Sequence, residues 1–219
     1  MKLVSYSTPT KEFEKEGLTD LQELIAFCAK VSNPAAQINT ETSERLIRYL
    51  IKHQHWSPLE MVNAVLEIET TRDIAHQIVR HRSFAFQEFS QRYANPAEMG
   101  EQFVTREARL QDPKNRQNSI GIDSESDLHY EWQMKQQKVI DVAKETYDWA
   151  IQAGIAKEQA RVVLPEGNTK TRLYMNGTLR SWVHYIELRG ANGTQKEHMD
   201  IAHACAKVIS DIFPLMNNL

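Results

Sequence analysis

The stretch Met61-Val62-Asn63-Ala64-Val65-Leu66-Glu67-Ile68-Glu69-Thr70, running on through Asp73-Ile74-Ala75-His76-Gln77-Ile78-Val79-Arg80, decides the fold class. Its first part alternates apolar and polar residues over much of its length, with Val62, Ala64, Leu66 and Ile68 on one side. Period two predicts a strand with one buried face. From Asp73 the spacing turns helical through Ile74 and Ile78, so a helix delivers Arg80 at or near its end. Strand and helix in immediate succession point to an α+β chain.

Working outward, Lys2 to Ser7 alternates well enough for a first strand. Thr19 with Gln22 reads as a capping box that opens a helix through about Val31. A second helix is expected from Thr42 to His53, with Leu46, Ile47, Leu50 and Ile51 on one face. Ser57-Pro58-Leu59-Glu60 supplies cap, first-turn proline and cap-box glutamate together. Glu101 to Asp127 is polar and poor in aromatics and reads as a long loop, with Asp112-Pro113-Lys114-Asn115 as a turn. Asp127 to about Ala153 forms one long helix stopped by Gly154. A short helix carries Arg161 and ends before Pro165. Arg172 to Asn176 fits a strand, Leu179 to Leu188 a helix with Leu179, Trp182, Val183 and Ile186 inward, and Thr194 to Ile212 the final helix. Neither a repeat nor a linker interrupts residues 1–219, which read as a single domain.

At 219 residues, 41% hydrophobic and 25% charged, the chain is long and ordinary enough to bury its own core. A net charge of −3 argues against nucleic acid or an anionic membrane as the main partner. The N-terminus turns polar before a signal-peptide core could form, and no apolar run could span a bilayer, so a cytoplasmic protein is expected. The two cysteines, Cys28 and Cys205, make no metal-spaced pair. Cys28 reads as a small buried hydrophobe. His198 and His203 are five apart, on different sides of a helix, and no metal site is expected. The scattered glycines form neither a dinucleotide fingerprint nor a phosphate loop.

The chemistry concentrates in Arg80-His81-Arg82-Ser83-Phe84-Ala85-Phe86-Gln87-Glu88-Phe89-Ser90-Gln91-Arg92-Tyr93. Arginine cannot lose its charge, and its fixed fork of donors matches phosphate and carboxylate oxygens. With Phe84, Phe86 and Phe89 interleaved, the segment suggests a phosphorylated ligand under an apolar roof. Clusters of arginine and glutamate also occur on solvated helices, so composition alone leaves both readings open. Ser90 is a weak nucleophile without an oriented base and reads better as a hydrogen-bond ligand for an anion.

The order Arg-His-Arg, seven residues, then Ser resembles the signature of the flavin-dependent thymidylate synthases without a gap. His55-Trp56-Ser57-Pro58-Leu59-Glu60, Ala160-Arg161-Val162-Val163-Leu164-Pro165, and Leu179 to Arg189 with Thr194 to His198 are similar to further elements of that family, in the family's order. Ala29-Lys30-Val31-Ser32 is similar to its early element. The resemblance implies a mostly antiparallel sheet flanked by long helices, assembled as a homotetramer with shared active sites. It implies thymidylate synthesis, dTMP from dUMP, with methylenetetrahydrofolate as one-carbon donor, FAD as hydride carrier and NADPH as reductant. No Pro-Cys-His nucleophile of the unrelated synthase class is present, so this chemistry would proceed without an enzymatic thiolate.

Carried over by position, Gln77, Arg80, Glu88, Phe89, Ser90, Arg92, Arg161 and Arg189 match positions that hold dUMP, with Arg189 the electrostatic catalyst against the pyrimidine ring. Ser32, His55, Ser57, Glu60, Arg80, His81, Arg82, Glu88 and Arg180 match flavin-site positions. Thr178 and His184 stand where many members carry asparagine; Thr178 also fits a helix cap and His184 a solvent-facing position. The competing readings are a non-catalytic nucleotide-sensing module, a flavoprotein of different chemistry and, last, an RNA-binding domain, which predicts salt-sensitive oligonucleotide binding.

Overall fold

The computed structural model describes residues 1–218. Strand β2 (Asn63–Thr71) pairs antiparallel with β6 (Lys170–Thr178) along its whole length, from Asn63 opposite Thr178 to Thr71 opposite Lys170. Strand β1 (Lys2–Tyr6) flanks β2, and β3 (Ala85–Glu88) flanks β6, giving the antiparallel order β1-β2-β6-β3. The alternation of β2 does what period two requires: Ala64, Leu66 and Ile68 are wholly buried. Leu173 and Met175 of β6 join them on the same face. Burying each such aliphatic side chain contributes roughly 1.5–3 kcal/mol. The opposite face is ionic, with Glu67 accepting from Lys2 (3.1 Å) and Tyr174 (3.0 Å), and Glu69 paired with Arg172.

Helices cover the apolar face. After α1 (Lys11–Lys15) come α2 (Leu21–Ala29) and α3 (Ser43–Lys52), whose Ile25, Ile47 and Leu50 enter the core. Helix α4 (Arg72–Ile78) follows β2 directly and buries Ile74, Ala75 and Ile78. Helices α7 (Leu179–Gly190) and α8 (Lys196–Ser210) complete the layer, and the Trp182 indole N–H reaches the Ala64 carbonyl at 3.1 Å. A Cβ at Gly177 would stand 2.4 Å from the Phe84 ring, which is itself packed edge-on against Trp182. Glycine there lets the segment after α4 lie against the sheet.

The long helix α5 (Asp127–Gln152) stands outside this core, capped by Ser126 and buried through Gln136, Ile140, Ala143, Tyr147 and Ala150. Tyr147 and Ala150 form a second cluster with Leu164 and with Ala160 of α6 (Lys157–Ala160). Arg106 ties the approach to α5 to the β2–α4 corner with two bonds to Asp73 (2.7 and 2.8 Å) and one to Thr71 (2.6 Å).

Several sequence expectations need correction. The first capping box is one residue on, Asp20 with Glu23, because the Asp20 carboxylate reaches the Glu23 amide at 2.8 Å. Ser57 to Glu60 makes only a 3-10 turn without a side-chain cap, since Glu60 turns instead to Arg180. The supposed loop from Glu101 to Asp127 contains a hairpin, β4 (Arg109–Gln111) with β5 (Ser119–Gly121), closed by the expected turn through Asp112. Strand β3 departs from the reading of Phe84, Phe86 and Phe89 as an apolar roof, because its four residues are set by pairing with β6. The expected Arg172–Asn176 strand extends to nine residues, and Cys28 is half-buried rather than enclosed.

Candidate functional site

Arg189 lies in the last turn of α7, and its Nε–H donates to Nε2 of His81 at 2.9 Å. Since a guanidinium can only donate, Nε2 carries the lone pair and the His81 proton sits on Nδ1. Burial first, and then the Arg189 charge, hold His81 below the ordinary histidine range. The Nη groups of Arg189 have no hydrogen-bond partner among the described residues. A fixed, always charged fork therefore stands beside a neutral imidazole, suited to a planar anion.

Behind this pair lies the last residue of the Thr194–His198 element, to which the sequence assigns no role beyond excluding it as a metal ligand. His198 of α8 is wholly buried; its Nε2 lies 3.1 Å from the Tyr185 hydroxyl and its Nδ1 3.2 Å from Oε1 of Gln77. Burial, with the Arg189 and His81 charges added, pushes it down to about 4. Gln77, in α4, also donates to Oε1 of Gln195 at 2.8 Å. Two signals mark it: its place at the end of that element, and helical phase, since His198 shares the inward face of α8 with Ala202, Cys205 and Ile209.

The other matched residues fall into separate groups. Arg80 and Arg82 follow the end of α4 and are exposed, with no side-chain hydrogen-bond partner among the described residues. Arg92 pairs with the Glu158 carboxylate at 3.5 Å, and Arg161 donates to the Glu158 backbone oxygen at 3.3 Å, so two of the expected nucleotide ligands meet at one point. Ser90 and Phe89 are half-buried beside them in sequence. Glu88 faces inward to Arg72 (3.2 Å) and Thr171 (2.9 Å). A third group joins Glu60 to Arg180 and stacks Trp56 edge-on against His184, centroids 4.6 Å apart. Thr178 caps α7 by accepting from the Ser181 amide at 3.2 Å, and His184 packs on Trp56 rather than standing free in solvent. Ser32, His55 and Ser57 are exposed. Arg80, Arg161 and Arg189 share no hydrogen-bond partner among the described residues.

A family model described as thymidylate synthase complementing protein matches residues 16–215. A probable flavin-dependent thymidylate synthase of Paramecium bursaria Chlorella virus 1 is 48% identical over 213 residues, covering 97% of this chain and 94% of the relative. A flavin-dependent thymidylate synthase of a Synechocystis species is 44% identical over 214 residues, covering 98% and 95%. The chain belongs to this family. Among solved structures, a UMP/dUMP methylase PolB from Streptomyces cacaoi bound with 5-Br dUMP superposes with a TM-score of 0.81 at 24% identity, over 99% of this chain and 92% of that one. That likeness confirms the α+β fold.

For a flavin-dependent thymidylate synthase the three groups make chemical sense together. Arg80 and Arg82, exposed and without a side-chain partner among the described residues, would fit the two negative charges of a diphosphate-bearing cofactor. Glu60 and Arg180 form a mixed-charge edge suited to a ring that both donates and accepts. The donor set thus suits a flavin dinucleotide. Within the described residues no three His, Cys, Asp or Glu side chains cluster as metal ligands, and no helix is long and apolar enough to cross a membrane.

Proposed function

We propose that this chain methylates dUMP to dTMP, with FAD as hydride carrier, methylenetetrahydrofolate as one-carbon donor and NADPH as reductant. The observation that carries the reading is the Arg189–His81 pair, in a chain related almost end to end to flavin-dependent thymidylate synthases. Neutral uracil is a poor carbon nucleophile. Arg189, the catalytic residue, lowers the cost of spreading negative charge over the ring, because its charge is fixed and already oriented. His81 holds that fork in place and, being neutral, adds no competing positive charge. Gln77, Arg80, Glu88, Phe89, Ser90, Arg92 and Arg161 bind the nucleotide. Ser32, His55, Ser57, Glu60, Arg82, Thr178, Arg180 and His184 form the flavin site with His81, Arg80 and Glu88. A bound flavin would supply the hydride that the reaction needs. Both cysteines are free, Cys205 is buried with its thiol pushed up by burial, and neither is needed as a nucleophile.

The separation of the residue groups supports a homotetramer of such single-domain chains with composite sites. Helix α5 carries a second apolar stripe, Leu128, Trp132, Val139, Val142 and Trp149, at heptad spacing and exposed beside the stripe it buries. Stripes of that kind pair with another helix. A cytoplasmic location fits a nucleotide and folate substrate pair.

The purified protein should be yellow, bleach with NADPH, and release label from the C5 position of dUMP only when methylenetetrahydrofolate is present. A protein that stays colourless with added FAD, yet binds dUMP, would establish the nucleotide-sensing alternative instead.

A further inference from the structure

Glu197, at the start of α8, is paired with Arg109 of the β4–β5 hairpin. Burial works against its ionisation, but the hydrogen bond from Arg109, with help from Gln195, holds its carboxyl below the usual range. An ionised carboxylate only accepts, so the Gln195 amide must turn its Nε2 toward Glu197, 2.9 Å away. The Gln195 oxygen then faces Nε2 of Gln77 at 2.8 Å, which leaves the Gln77 oxygen facing Nδ1 of His198 at 3.2 Å. An amide oxygen also only accepts, so Nδ1 of His198 bears the proton. Its bare Nε2 receives the Tyr185 hydroxyl at 3.1 Å. Flipping Gln77 would set its oxygen against the Gln195 oxygen; flipping both amides would set the Gln195 oxygen against the carboxylate. One ionic group removes every alternative.

We infer that Glu197 fixes the direction of a hydrogen-bond chain through Gln195, Gln77 and His198 to Tyr185, making Glu197 and His198 positioning residues for the Gln77 carboxamide in nucleotide recognition. The inference rests on the proposed dUMP activity for its consequence, though not for its geometry. With one Nε2 proton given to Gln195 and one Oε1 lone pair taken by His198, Gln77 has one donor and one acceptor position left for a nucleotide. Their places are set before the substrate arrives, which cuts the ordering cost of binding. Further ionisable groups beside the chain are His81, its ring 6.2 Å from that of His198, the Arg189 charge, Cys205 next to Tyr185, and Glu107, 3.6 Å from Arg109.

The test uses the FAD-loaded enzyme. His198→Asn keeps an N–H donor near the place of Nδ1, whereas His198→Gln projects its amide toward the place of Nε2. Glu197→Gln keeps the shape of Glu197 and deletes its obligation to accept. Glu197→Gln and His198→Gln should raise KM for dUMP about tenfold, while His198→Asn stays within about threefold of the parent and kcat changes less than about twofold throughout. Flavin content should be unaffected. In histidine-labelled parent enzyme, 15N spectra should show His198 with Nδ1 protonated and Nε2 bare, a readout that needs no variant to fold. The opposite tautomer, or a Glu197→Gln enzyme with the parent's KM, overturns the inference. A parent that releases no label from dUMP sinks the proposed activity instead, and leaves the tautomer to decide the chain.

Discussion

Arg189 bonds the His81 ring, and Arg80 and Arg82 flank that histidine along the chain, yet the three arginines live under opposite regimes. Arg189 is half-buried, with its Nε spent on His81, and a neutral buried network lies behind it. Arg80 and Arg82 flank that same histidine in sequence but are exposed and unpaired among the described residues. The ordering of Arg189 is met when the chain folds, so its field is in place before any substrate arrives. The ordering of Arg80 and Arg82 must be met when a ligand binds. Preorganised charge suits stabilisation of a transition state; adaptable charge suits retention of a large anion.

The sharpest way to break that distinction is to truncate one arginine of each kind. Arg189→Ala should lower dTMP formation by about 10²–10³-fold, the scale of losing one preorganised electrostatic group. Its flavin absorbance per protomer should stay at the parent level. Arg82→Ala should do the reverse, weakening flavin retention by about tenfold while enzyme saturated with FAD regains most of its turnover. Arg189→Lys should not rescue, because an ammonium lacks the planar fork that bonds His81 and a ring at once. An Arg189→Ala enzyme as active as the parent would end its assignment as catalyst.

A milder perturbation separates what one protomer holds from what its neighbours would complete. Val142 is exposed on the free stripe of α5 and takes no part in the core. Val142→Glu should lower the molar mass measured by light scattering and weaken flavin retention, with the protomer's helix content intact. The Gln77–His198–Tyr185 chain, made within one protomer, should survive, so the His198 15N signals should be those of the parent. Retention of a full-size assembly would remove the stripe from the interface.

The same contrast explains what was legible in the sequence. The exposed arginines of the proposed site stand out, because Arg80, Arg82 and Arg92 fall in one short stretch, and the order of the motif rather than its composition sets them apart from a solvated face. Strand β2 was legible for a similar reason: one dry face against one ionic face leaves period two in plain view. Strand β3 was hidden because both edges of its short run, Ala85 to Glu88, are mixed in character, and its place is set by pairing with β6. The hairpin of β4 and β5 is polar and exposed, so its order comes from Asp112 side-chain bonds to the Lys114 and Asn115 amides, not from hydrophobic pattern. His198 stands in a legible element, Thr194 to His198, but its role there is hidden most deeply. A histidine on an apolar helix face looks like any core position until Gln77, from more than a hundred residues away, is brought against it.

That buried histidine also gives the wired region a pH signature that the exposed arginines cannot share. His198 is pushed down to about 4 in the folded protein, against about 6.5 in an unfolded chain. Above pH 6.5 neither state holds the proton and stability is unaffected. Between 6.5 and about 4 the unfolded chain takes up a proton that the folded one refuses, so stability falls as pH falls, by at most about 1.4 kcal/mol per pH unit for one group. His81, also held down by burial and Arg189, acts in the same direction. Glu197 and Asp73, whose carboxyls are held below their usual range, add their losses only at lower pH, as the acid approaches their depressed values. Melting curves between pH 7.5 and 5 should therefore fall more steeply for the parent than for His198→Asn, which has no proton to gain there. Equal slopes for the two proteins would mean that His198 accepts a proton in place, and the neutral backing of Arg189 would be lost with it.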